Sequence, residues 1–163
     1  MGGVGGARQA TQRGVTTITD TPDDLEWGSV RLHFEELAAG NPERGLVPWY
    51  HFKIVNESGT QVGHVNFRVG DTQHVTMTAG HVGFWISPEH RGSSLSYQAC
   101  RALAPFIRRH YDRVILTANP ANAPSIRTIQ KLGAKFLGEA VVPPDDPAHA
   151  SGARRKRRYE WTL

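Results

Sequence analysis

From Ser29 to Leu37 apolar and polar residues alternate. Val30, Leu32 and Phe34 stand against Arg31, His33 and Glu35, the two-residue period of a strand with one covered face. "WYHFKIV" and "QVGHVNFRV" read as two further strands, and the "NESGT" between them is a hairpin loop. After "GDT" a β-like run extends from about His74 to Ser87, so the first half predicts three or four consecutive antiparallel strands. The period then changes. Leu95, Ala99, Ala102, Leu103, Phe106 and Ile107 recur at helical spacing, which predicts an amphipathic helix over 94–110. A kink is expected at Pro105, which lacks the N–H that a helix interior uses. "RVILTA" is the short apolar run of a strand covered on both faces. In "NAPSIRTIQKLG", Asn122 suits an N-cap, Pro124 a first turn and Gly133 a C-terminal stop, so a second helix follows. "AKFLGEAVV" and "RRYEWTL" supply two last strands around a polar loop.

The order is four strands, helix, strand, helix, two strands. It predicts an α/β (α+β) sheet with a parallel step in its middle, in a single domain over 26–163. Residues 1 to about 25, rich in Gly, Thr and Gln with no apolar period, are expected to be a flexible leader. No apolar run approaches membrane-span length, so no membrane partner is expected. A single cysteine, Cys100, excludes an internal disulfide and suits a reducing cytoplasm; it reads as a small buried hydrophobe.

The net charge of +4 is concentrated in "RRKRR", Arg154 to Arg158. A basic strand in solvent accounts for it, and without interleaved aromatics it predicts no nucleic-acid partner. Of eight histidines, His51, His64, His74 and His81 fall on expected strands, yet none pairs at a metal-ligand spacing, so no metal is expected.

The candidate chemistry lies where the long helix begins. A helix N-terminus offers unpaired N–H groups and roughly half a positive charge, which favour phosphate. Arg91 adds charge, Gly92 admits close approach, and Ser93, Ser94 and Ser96 add hydroxyls. Capping alone also explains "RGSS".

"GHVGFWISPEHRGSSLSYQA" followed by "ANPANAPSIRTIQKLGA" resembles the GNAT superfamily of acyl-CoA-dependent N-acyltransferases, over roughly residues 61–140. The second segment is similar to the subgroup of ribosomal-protein N-terminal acetyltransferases. The resemblance implies a mixed, mostly antiparallel sheet of about seven strands flanked by helices, splayed between its fourth and fifth strands. It implies acetyl-CoA as co-substrate, its pyrophosphate held by a loop of the form Q/R-x-x-G-x-G/A. Here that loop is Arg91, Gly92, Ser93, Ser94, Leu95 and Ser96, with serines at the two small positions. By the same resemblance, backbone groups of Phe84, Trp85 and Ile86 pair with the pantothenate arm, and the Asn122 side chain, with Asn119 as a second candidate, helps hold it.

Amide formation needs a base for the ammonium proton and an acid for the departing thiolate. Relatives often carry a glutamate where this chain has His81, and imidazole suits a base near neutral pH; a hydrogen-bonded strand histidine is the other reading. Many relatives carry a tyrosine acid where this chain has Ile129, so Ser125 becomes the candidate donor, or else a first-turn cap. The family's first helical region is shortened to "AAGNPERGLVP". The acceptor side is therefore expected to be open unless a second copy, as a homodimer, closes it. The other wall is the loop before "RRKRR", where Asp145 and Asp146 could draw a cationic amine. The expected function is transfer of acetyl to a primary amine of a small molecule or protein N-terminus. A silent acyl-CoA sensor and a basic nucleic-acid module are the alternatives.

Overall fold

The alternating faces set the architecture of the computed structural model, which describes residue 22 and residues 24–163. The expected leader falls mostly on residues 1–21 and 23, outside the described residues. Pro22 is buried, and Leu25 joins the core and accepts a bond from Leu32 N–H (2.8 Å), so the packed domain begins ahead of Glu26.

Among the described residues eight strands form two sheets. The first runs in order β1 (Glu26–Trp27), β2 (Val30–Ala38), β3 (Trp49–Val55), β4 (Gln61–Arg68), β5 (Val82–Ile86), antiparallel throughout. The second has order β6 (Arg113–Ala118), β8 (Arg155–Thr162), β7 (Lys135–Val141), also antiparallel. The seven expected strands are all present, and β1 is an addition. The expected splay is present too: β5 and β6 belong to different sheets.

The mixed α+β fold is built around α1 (Leu95–Ile107). Its Ala99, Cys100, Leu103 and Phe106 bury against Tyr50, Phe52, Val65 and Phe67. Dispersion and removal of this apolar area from water are what join the first sheet to the helix. Pro105 sits in the last turn, and α1 ends two residues later, so little helix lies beyond it to be redirected by a kink. α2 (Ala123–Lys131) follows β6, with Asn122 as its cap: Oδ1 accepts from Ser125 N–H at 3.3 Å. On β6 burial alternates, so the expectation of full cover on both faces is corrected to cover on one and partial cover on the other.

The expected strand from His74 is also corrected. His74–Ala79 is a π-helical turn, closed by Gly80 N–H to Val75 O at 2.7 Å, and β5 begins only at Val82. Its Val75, Thr76 and Thr78 imitate a strand because they are β-branched, although the two that are buried, Val75 and Thr78, lie three apart rather than two. Between β2 and β3 lies only a 3-10 turn, Pro42–Arg44, so no helix from that connector covers the sheet face opposite α1. The polar loop before β8 holds a short helix, α3 (Pro147–Ala150).

Candidate active site

The strand β5 has a partner on one edge only, so alternate residues present their N–H and C=O to open space. Ser87 N–H reaches β4 at Val62 O (2.9 Å), which turns the Ile86 groups away from β4, and those of Phe84 with them. Ile86 O takes Arg91 Nε at 2.7 Å. Trp85 points its backbone into the β4 ladder, so its expected backbone role is corrected: it offers its exposed ring instead.

Beyond this edge opens a cleft of about 700 Å³ between the N-terminal ends of α1 and α2. Phe84, Trp85, Ile86, Arg91, Gly92, Ser94, Leu95, Ser96, Asn122 and Ser125 all line it. Ser93 and Asn119 do not: their carbonyls accept from Gln98 Nε2 (3.2 Å) and Asn122 N–H (2.9 Å), inside local turns. At Gly92, φ is +97° and nothing stands within 4 Å of where a Cβ would be. Ser94 is the α1 N-cap and is left-handed, with φ +58°, a conformation that costs a side-chain-bearing residue about 1–2 kcal/mol. That strain explains why the matching family position favours glycine.

Sequence reasoning missed Arg127, Thr128 and Lys131 on α2 and Tyr97 on α1, all at the cleft. The four-residue spacing of Arg127 and Lys131, on the helix that Asn122 caps, was the available signal. Lys131 Nζ stands 4.4 Å from the Tyr97 ring centre and 3.4 Å from Ser94 Oγ. Three cations, Arg91, Arg127 and Lys131, therefore surround a helix N-terminus, an arrangement that suits polyphosphate.

His81 does not line the cleft and is fully buried. Its Nδ1 accepts from Ile115 N–H at 2.9 Å, which leaves Nε2 to donate to Asp71 Oδ1 at 3.0 Å. With both nitrogens engaged and no open face, the ring is badly placed to take a proton from an acceptor; the expectation of a base is corrected on that ground. Ile129, where relatives carry tyrosine, is buried in the core.

The sheet face opposite α1 carries a row of side chains across four strands. The Trp85 ring stacks on His64 (5.5 Å, 23°), His64 lies 5.3 Å from His51, and His51 Nε2 is 3.0 Å from Glu35 Oε2. Lys53 also pairs with Glu35 at 3.0 Å, a bond that holds the carboxyl below its ordinary range. His64 is pulled below the usual histidine value, first by partial burial and then by His51. Among the described residues no group of three or more His, Cys, Asp or Glu is placed to hold a metal. Asp146, a candidate to draw an amine or else part of a solvated turn, is spoken for: it bonds His74 Nδ1 at 2.7 Å and accepts from Ala148 N–H at 2.9 Å as a cap. Among the described residues no helix is long and apolar enough to cross a membrane.

The fold matches solved acetyltransferases. A ribosomal-protein-S5-alanine acetyltransferase from Vibrio fischeri aligns at TM-score 0.54 and 18% identity, over 70% of this chain and 61% of that one. A GNAT-family acetyltransferase from Bacillus anthracis aligns at 0.55 and 22%, over 69% and 65%. A microcin C7 self-immunity acetyltransferase, solved with acetyl-CoA and AMP, aligns at 0.53 and 14%, over 71% and 61%. The chain thus spans less than two thirds of the length of each of these three. No curated protein matches it by sequence. The model of the acetyltransferase (GNAT) domain matches residues 7–135. The chain belongs to the GNAT acetyltransferase family.

Proposed function

We propose that this protein transfers an acetyl group from acetyl-CoA to a primary amine, on a small molecule or a protein N-terminus. The observation that carries the reading is the continuity of an open strand edge at Phe84 and Ile86 with a helix N-terminus ringed by Arg91, Arg127 and Lys131. An elongated ligand with amides along one part and phosphates at the other fits both. Bound there, acetyl-CoA supplies the acetyl thioester.

The chain's residues divide the remaining work. Phe84 N–H and C=O pair with amides of the cofactor arm, and Asn122, which lines the same cleft, donates from Nδ2 to that arm. The N–H groups that open α1, with the Ser94 and Ser96 hydroxyls, hold phosphate oxygens. Ser125, on the α2 side of the cleft, donates to the departing sulfur. The acceptor arrives over the uncovered sheet face beside Trp85. His64 receives its proton, directly or through water, because no hydrogen bond occupies its ring nitrogens among the described residues and burial keeps it neutral at pH 7. A lone buried thiol suits work in the cytoplasm.

A thiol-release assay with acetyl-CoA and a panel of small amines and free-N-terminus peptides tests this; release that requires an acceptor is expected. Binding by calorimetry without release from any acceptor would favour the sensor reading, which the buried Ile129 supports. Absence of both binding and release would sink the reading. Sedimentation shows whether a second copy closes the acceptor face.

A further inference from the structure

We propose that His81 is a positioning residue: just ahead of β5, its imidazole pins β6 at the rung where the two sheets meet among the described residues, and so sets the distance between the two banks of the cleft. The proposal rests on the acetyl-CoA reading above for its consequence, though not for its geometry. In a regular ladder the Ile115 N–H would meet a carbonyl of the neighbouring strand. The two strands run the same way, so with His81 N–H on Ile115 O that carbonyl would be Ala79's, which instead accepts from Arg68 Nη1 at 3.5 Å. The ring stands in for it. His81 N–H donates to Ile115 O at 2.7 Å, and Nδ1 accepts from Ile115 N–H at 2.9 Å, so one residue satisfies both backbone groups of Ile115.

The ring has little freedom to do otherwise. It is fully buried, packs 4.8 Å from the Tyr111 ring, and is held at Nε2 by Asp71. Tyr111 is fixed in turn, its hydroxyl accepting from Gly70 N–H at 2.9 Å. Gly80 supports the same close approach. At φ +74°, a Cβ there would stand 3.0 Å from Ile115 O and 3.1 Å from Thr117 N, wedging the strands apart.

Past the pin, each strand runs on into one bank of the cleft. His81 lies three residues before Phe84, and the same strand leads on to Arg91 and the start of α1. Ile115 lies seven residues before Asn122, and its strand leads to the start of α2. Both banks are therefore continuations of the two strands that this rung holds in register. Without an acceptor for Ile115 N–H, β6 keeps His81 N–H on Ile115 O and Thr117 Oγ1 on Thr78 O but loses the bond that fixes its spacing from β5 at this rung, and the banks shift relative to one another.

Two variants and two readouts test the idea. His81→Leu keeps bulk and removes the acceptor; His81→Asn keeps an acceptor oxygen two bonds from Cβ, where Nδ1 stands. In ligand-free protein, amide hydrogen exchange by NMR should be faster at Ile115 in His81→Leu and near wild type in His81→Asn. Acetyl-CoA affinity should fall about tenfold in His81→Leu, the order expected of an amide left unpartnered, and recover in His81→Asn, with kcat at saturating cofactor falling far less than affinity. Unchanged Ile115 exchange in His81→Leu would remove the pin. A loss of kcat of roughly 10²-fold or more in both variants, with affinity kept, would instead make His81 a proton carrier. Should the wild type bind no acetyl-CoA, the functional reading falls, while Ile115 exchange still decides the pin.

Discussion

Ser94 is a serine in a backbone conformation that glycine adopts freely. Ser94→Gly is expected to relieve about 1 kcal/mol of strain, raising Tm by roughly 2–4 °C in a domain this size; thermal unfolding checks it. Ser94→Glu, which puts bulk and negative charge at the phosphate end of the cleft, should abolish acetyl-CoA binding in a folded protein, as calorimetry would show. Burial pushes the Cys100 thiol up to about 12 from an ordinary 9.0. The folded state thus favours the neutral thiol: its contribution to stability is full below about pH 9 and is lost as pH rises toward 12. Below that window the thiol should resist alkylation until the chain unfolds. On the acceptor side, His64→Ala should lower kcat by roughly 10²–10⁴-fold and remove an acid limb that lies below the usual histidine value. The two histidines show what residue type can and cannot tell. His81 stands out by its place in a motif, and His64 is only one of several strand histidines, because the state of an imidazole depends on what its nitrogens face. Both His81 nitrogens face partners that only tertiary structure brings near, Ile115 and Asp71.

Elements were legible where their period was strong. α1 announced itself through its buried stripe and α2 through its cap and stop, while the turn at His74–Ala79 hid behind β-branched residues. Nothing local distinguishes a buried Val or Thr in a π-turn from one in a strand; what decides it is that Thr78 O accepts from Thr117 Oγ1 (2.7 Å) across the chain. Two predictions belong here. Removing the charges of α2, Arg127→Ala with Lys131→Ala, should weaken acetyl-CoA about tenfold and flatten the salt dependence of binding, since partly exposed charge contacts contribute modestly and are screened. In β8 the basic run is individually engaged: Arg155 pairs with exposed Glu139 at 3.4 Å, Arg157 lies 4.5 Å from the Phe136 ring centre, and Arg158 Nε donates to Thr76 O at 2.8 Å. Neutralising Arg155 and Arg157 together should leave the fold intact, and the wild type should show no salt-steep binding to duplex or single-stranded nucleic acid.

At the scale of the whole molecule, the order of strands and helices was readable because each connection is short. The division into two sheets was not readable from periodicity, since a strand that lacks a partner on one edge keeps the same alternation as one that has two; only the family resemblance anticipated it. That division has a thermodynamic and a kinetic consequence. The core beneath α1 takes residues from both sheets, Phe52 and Phe67 from the first and Leu116 and Trp161 from the second, but β5 and β6 lie in different sheets and part beyond a short joint. A ligand lying along the free edge therefore acts as a temporary structural member, and saturation at a hundred times Kd should add about 2.7 kcal/mol to the free energy of unfolding. The melting temperature should climb with cofactor concentration, and amides on both banks should slow together. The same bracing must be undone at the end of each cycle. A protein held together this way is expected to turn over no faster than it can let the spent carrier go, so free coenzyme A should inhibit it as a product, and the rate-limiting event should be a reopening of the scaffold rather than a bond made or broken.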